Sequence, residues 1–218
     1  MARRWSALGA AAAACALAGA ASGGDAGPTI SPVVFVGEEA TGNAAGLTVG
    51  GTLFEMSRVT IDEAGLVSFQ AADMATGTRF TARALPGLVQ GLLRTGQVIA
   101  TADGDFEVID DGAGLETRGH SAEGRMYFRR TLRAVNNASD VRTALLRTSG
   151  SSVFTAMLPV ESIGAGAGLM VADVITPPRV NREDEAAVVA LGMDGAGGVR
   201  EVLLVVDGIE RRVIALEA

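Results

Sequence analysis

The sequence predicts an all-β fold built from repeats, and three observations carry that prediction. The stretch at 61–71 (Ile-Asp-Glu-Ala-Gly-Leu-Val-Ser-Phe-Gln-Ala) lines up with 120–130 and again with 180–190. The copies stand roughly 60 residues apart, and a fixed period of this size made of short strands and turns marks stacked or ring-arranged β units. A second stretch recurs independently. Gly91-Leu92-Leu93-Arg94 leads to Val98-Ile99-Ala100, Ala144-Leu145-Leu146-Arg147 leads to Val153-Phe154-Thr155, and Val202-Leu203-Leu204-Val205 leads to Val213-Ile214-Ala215. Finally, apolar residues beyond residue 30 do not recur at the i, i+3, i+4 spacing of a helix; valine, threonine and leucine lie between glycine-rich turns instead.

Residues 1–20 read as a secretory signal peptide. Arg3 and Arg4 give a positive start, 5–17 is apolar and alanine-rich, and Ala18-Gly19-Ala20 offers a small-x-small cleavage site. The apolar run is too short and too weakly hydrophobic for a membrane span. The chain is therefore expected outside the cytoplasm, periplasmic or secreted. Cys15 is the only cysteine. Cleavage after Ala20 removes it, which leaves no disulfide, thiol nucleophile or cysteine-ligated metal. The alternative is a lipoprotein leader cut just before Cys15, whose acyl chain then tethers the protein to a membrane.

The roughly 200 residues that remain suffice for one domain with a sizeable core. Acidic residues number 25 against 18 basic ones, all arginine, and the formal charge is −7. Loss of Arg3 and Arg4 with the leader makes it more negative. An acidic exported chain is not expected to bind nucleic acid or anionic lipid through bulk charge.

In chain order, 21–50 is an N-terminal segment in which Val33-Val34-Phe35-Val36 is predicted as a lone strand. The repeat domain, 51–218, divides into units at about 51–103, 104–160 and 168–218. The first unit opens with a strand over 52–61. Asp62-Glu63-Ala64-Gly65 then turns the chain, the aspartate bonding to backbone ahead and the glycine taking the left-handed position. The second strand, 66–72, puts Val67, Phe69 and Ala71 on one face and Leu66, Ser68 and Gln70 on the other. The third strand falls within 85–94, and the fourth over 97–102 after the Thr95-Gly96 turn. The later units repeat the plan, with Asp184 where the other turns have Gly65 and Gly124. Asp207-Gly208 between apolar runs is a strong hairpin signal. Four antiparallel strands per unit make the units propeller-blade-like. Phe69, Phe128 and Val188 are expected in equivalent inward-pointing places. Three blades fall short of a usual propeller ring, so completion by the N-terminal stretch, an open stack or a homodimer is expected.

The pattern of strand, Asx-x-x-Gly turn and Val-x-Phe-x-Ala is carried by Asp62, Gly65, Val67, Phe69 and Ala71. Weaker copies are Ser121, Gly124, Met126 and Phe128, and Asn181, Ala186, Val188 and Ala190. It resembles the repeats of an exported bacterial β-propeller-like tandem-repeat family of unknown function. Val34-Phe35-Val36-Gly37-Glu38 is similar to the family's inter-repeat stretch. The resemblance implies the repeat fold and export, and it brings no activity and no catalytic residue.

Candidate sites are few. Arg125, Tyr127, Arg129 and Arg133 alternate and so share one face of a strand, with Met126, Phe128, Leu132 and Arg130 on the other. Arginines beside an aromatic ring suit the carboxylate or sulfate groups of a glycan; their competing role is to pair with acids of neighbouring units. Asp103, Asp105, Asp110 and Asp111 lie close together, and calcium favours several carboxylates. Their spacing is not that of an EF-hand loop, and solvated Asp-Gly turns are the competing role. His120, the only histidine, stands where the other copies have Ile61 and Val180. Without a thiol or a Gly-x-Ser-x-Gly elbow it assembles no recognisable nucleophilic site. No phosphate loop or dinucleotide fingerprint occurs. The expected function is an exported non-enzymatic module that binds or scaffolds a glycan or protein. The alternative is an envelope glycan hydrolase or lyase using carboxylates at one end of the repeat ring. No cofactor is expected, calcium apart.

Overall fold

The structure is a computed structural model. It describes residues 34, 36–50, 59–61, 67–85, 87–109, 121, 124–150, 152–163, 168–208 and 210–216. Cys15 and the expected leader, the expected turn Asp62-Glu63-Ala64-Gly65, Asp110, Asp111 and His120 lie outside these residues. Among the described residues the chain is all β, in three sheets and without a helix.

The first sheet holds β1 (Ala40–Gly42), β2 (Val49–Gly50), β3 (Thr60–Ile61), β4 (Val67–Asp73), β5 (Arg79–Leu85) and β6 (Leu88–Arg94). Its order is β1-β6-β5-β4-β2, with β3 also on β4, and only the β1–β6 pairing is parallel. The second is a meander of β7 (Val98–Thr101), β8 (Gly104–Val108), β9 (Tyr127–Ala134), β10 (Asn137–Ser149) and β11 (Ser152–Met157). It curls until β11 comes back towards β7. The third holds β12 (Leu169–Val174), β13 (Arg179–Val180), β14 (Glu185–Asp194), β15 (Val199–Asp207) and β16 (Glu210–Leu216), in the order β12-β14-β15-β16 with β13 also on β14.

The sheets lie one after another, because alternation along each strand supplies a side chain to either face. Phe69, Phe80 and Val89 of the first sheet pack with Ala40 of β1, Val49 of β2, and Ala44 and Leu47 of the loop between those two strands. Leu92 and Leu93 of β6 join Phe106, Phe128, Leu132 and Leu146 of the second sheet. Tyr127, Leu145 and Met157 on that sheet's other side meet Ala186, Val188, Ala190, Val202 and Leu204 of the third. Phe69 stands opposite Ala82, Phe128 opposite Leu146 and Val188 opposite Leu204, and all three are buried.

Three strand assignments differ from expectation. Val36 and Gly37 form a turn rather than the end of a lone strand; the N-terminal strand is β1, and Val33 and Phe35 lie outside the described residues. β1 lies parallel to β6, and the chain after it comes close over Gly91 because that residue has no side chain: a Cβ there would clash with Ala44. The first sheet also contains β5, which the expected strands passed over. Its Phe80, Ala82 and Ala84 are buried on one face, but so are Thr81 and Arg83 on the other. Last, the strand expected to complete the first unit at 97–102 is β7, which pairs with β8 in the second sheet. The turn before it leads the chain out of the first sheet, with Gly96 N–H donating to Val108 O at 2.8 Å.

Asp73 pins the N-terminal segment to β4. Its Oδ1 accepts from the Thr48 N–H at 2.8 Å and the Thr48 hydroxyl at 3.1 Å. Its Oδ2 accepts from Ala75 N–H, Thr76 N–H and the Thr76 hydroxyl at 3.2, 2.8 and 2.7 Å. These donors, the Thr48 N–H foremost and the Thr76 hydroxyl next, hold the carboxyl far below the usual carboxylate range. A group depressed in this way stabilises the fold above its unfolded pKa and loses that contribution as pH falls towards its folded pKa. The Tm of the protein should therefore fall as pH drops below about 5. Asp73→Asn should melt lower at neutral pH and lose less on acidification. Parallel Tm–pH curves for the two proteins would remove Asp73 as an acid-sensitive staple.

Candidate functional site

The polar chemistry gathers where one sheet meets the next. Arg83 stands opposite Ser68 on β4, and Arg147 opposite Tyr127 on β9. The Arg83 guanidinium donates to Gly124 O, in the turn that leads into β9. The Arg147 guanidinium donates to the Asp184 carboxylate, in the turn that leads into β14. Both turns are built as the sequence suggests. Ser121 Oγ accepts from Arg125 N–H at 3.1 Å, and Asn181 Oδ1 from Glu185 N–H at 2.9 Å. Gly124 and Asp184 take φ of 67° and 70°, so the aspartate fills the left-handed place of the glycine.

Asp184 is the centre of the boundary between the second and third sheets. Its Oδ2 accepts from Arg147 and, at 2.8 Å, from Arg125 Nη1, while Oδ1 is buried without a hydrogen-bond partner among the described residues. Tyr127 OH donates to Asp184 O at 2.9 Å and accepts from Gly208 N–H at 3.1 Å, tying the turn into β14 to the turn after β15. Arg147 lies 5.8 Å from the centre of the Tyr127 ring. Burial pushes the Tyr127 phenol above its ordinary pKa, against the Gly208 N–H, which stabilises the phenolate. Arg129 Nε donates to Val174 O.

Arg125, Tyr127 and Arg129 do share a face, as alternation requires, and that face is turned to the third sheet. Their polar atoms there hold one sheet against the other. Arg133 stands opposite Glu107 and pairs with it at 2.6 Å, with 43 % of its side chain exposed. Of the expected calcium ligands, Asp103 and Asp105 lie at the β7–β8 hairpin. Asp103 accepts from Arg142 Nη1 at 2.6 Å, and the same guanidinium pairs with Asp140 and lies 5.0 Å from the Phe106 ring centre. The Arg142 hydrogen bonds hold Asp140 below its ordinary pKa. Asp105 is exposed. Among the described residues no three His, Cys, Asp or Glu side chains gather into a metal site.

The feature that sequence reasoning missed is an open groove of about 520 Å³. It lies where the β7–β8 hairpin (100–102), β11 and the β15–β16 turn come together, and Phe154, Thr155, Arg147, Ser149, Glu161 and Gly208 line it. Phe154 is 53 % exposed beside the buried, unpartnered Thr155 Oγ1. The one sequence signal was a phenylalanine aligned with Ile99 and Ile214, but that second recurrence does not hold in space, since β7, which carries Ile99, lies in the same sheet as β11.

Together these features define an all-β protein with a polar relay between its sheets and an aromatic-rimmed groove. Comparison with protein-family models, curated proteins and solved structures gives no match for this chain.

Proposed function

We propose that the chain is an exported, non-enzymatic module of three propeller-blade-like units that binds or scaffolds a glycan or protein through the groove beside Phe154. The kinship proposed is with the exported bacterial tandem-repeat proteins whose motif it resembles. The repeat reading is supported by Phe69, Phe128 and Val188, each buried at the matching register position of its sheet. It is supported too by Arg83 and Arg147, each reaching the turn before the next motif strand.

The observation that carries the binding role is the exposed Phe154 ring in a groove also lined by Ser149, Thr155, Arg147 and Glu161. An aromatic face stacks on a sugar ring or an apolar side chain, and a few polar groups around it fix orientation. The test is a glycan-array and peptide-array screen of the purified protein, with and without calcium. A retained ligand should bind Phe154→Ala roughly tenfold more weakly, with an unchanged circular dichroism spectrum. Ligand binding indifferent to Phe154, or no ligand on either array, would defeat this reading. Mass spectrometry of the mature N-terminus separates cleavage after Ala20 from acylation of Cys15.

A further inference from the structure

Among the described residues the third sheet is covered on one face only. Val188, Leu204 and Val206 point to the second sheet and are buried. On the opposite face Ala187 pairs with Val205 and Val189 with Leu203. The same register positions are closed over in the other sheets. Ser68, Thr81 and Arg83 are buried in the first, and Tyr127 and Leu145 are fully buried in the second. In the third, Leu203 is 37 % exposed, and a groove of about 360 Å³ runs beside it between Arg179, Pro177 and Val189. A strand face of valine, leucine and alanine that stays half open is a surface built to be covered.

Two observations say by what. In both internal boundaries an arginine, Arg83 or Arg147, reaches across to the turn of the following sheet. Val205 holds that position in the third sheet and offers no such grip, so the face is not made for a further sheet of the same kind. The other end of the stack is already closed, because the loop between β1 and β2 packs on the outer face of the first sheet through Ala44 and Leu47. A second copy arriving head to tail would find no free face there. What fits is the same face of a second copy, across a two-fold axis. The charges agree. The chain is acidic overall at −7, yet the centre of this face is uncharged. Beside it on the same face Arg179 and Arg212, in register with Ala187 and Val205, carry positive charge, and Glu185, Glu201 and Asp207 carry negative charge, as a self-complementary rim requires.

We propose that the outer face of the third sheet, centred on Val189, Leu203 and Val205, is the interface of a homodimer. The groove beside Phe154 and the one beside Leu203 share no lining residue, so the dimer stands or falls independently of the ligand reading.

Sedimentation velocity and light scattering over a dilution series test it. The purified protein should run at twice its monomer mass and dissociate on dilution. Leu203→Glu should weaken association at least ~100-fold with an unchanged circular dichroism spectrum. Val205→Arg should do the same and covers the case in which the first variant folds poorly. Phe154→Glu, also exposed but off this face, should leave the dimer intact. A monomer at every concentration would overturn the proposal. So would a dimer untouched by both third-sheet variants, or open-ended polymers, which point to pairing along the β16 edge.

Discussion

Asp184→Ala is expected to destabilise the protein by about 3 kcal/mol, the range seen when one partner of a buried ion pair is removed. The Asp184 side chain is 9 % exposed, and it is the shared acceptor for two guanidinium groups. Its removal takes from Arg125 and Arg147 the one carboxylate they share at the sheet boundary. Both arginines keep some contact with water, 31 % and 21 % of their side chains, which holds the cost below that of a fully buried pair. The left-handed backbone adds a smaller term, because alanine tolerates φ of 70° less well than aspartate. Asp184→Asn should cost less, since its amide oxygen still accepts from an arginine. Urea denaturation measures the loss. Tyr127, the only tyrosine, gives a local readout: once the turn loosens and water enters, its phenol should titrate nearer the ordinary ~10. An unchanged midpoint together with an unchanged phenol titration would show that Asp184 does not anchor the third sheet.

Phe128→Ala should be costlier still, at about 3–5 kcal/mol. Its ring is fully buried in a cluster that draws Leu92 and Leu93 from the first sheet and Phe106, Leu132 and Leu146 from the second. A cavity there cannot be filled by one sheet settling alone, because the two sheets sharing it are held in place by their own ladders and by the Arg83–Gly124 bond. Such a loss is a large fraction of the roughly 5–15 kcal/mol by which a domain is stable. The urea midpoint should fall with little change in slope if unfolding stays cooperative. A loss under about 1 kcal/mol, the scale of an exposed substitution, would contradict the packing of the first sheet on the second.

Much of the local structure was legible in the sequence. Ser121 with Gly124, and Asn181 with Asp184, form the turns their residue types favour, and Gly208 takes the left-handed place of the hairpin before β16. Phe128 and Val188 fall on the side of β9 and β14 that meets the preceding sheet, and period-two alternation decides which residues share that face. These features depend on neighbours a few residues away, and their energetics are complete within a turn or a strand pair.

β5 escaped notice for the opposite reason. Thr81 and Arg83 look like a solvent-facing half of a strand until the second sheet covers them. The arginine strip around Tyr127 reads as a ligand surface until Asp184 and Val174 arrive to meet it. Phe154 acquires a groove only when β11, the β7–β8 hairpin and the β15–β16 turn converge.

The amino-acid order alone determined an all-β chain, its turn chemistry and the two-sided character of each motif strand, since backbone preference and side-chain alternation are properties of contiguous residues. Which side of each strand meets another sheet, which arginine finds an acid and which face is left open were decided only by tertiary packing. The free energy of a polar or apolar face is set by what covers it, and here the cover comes from residues far along the chain.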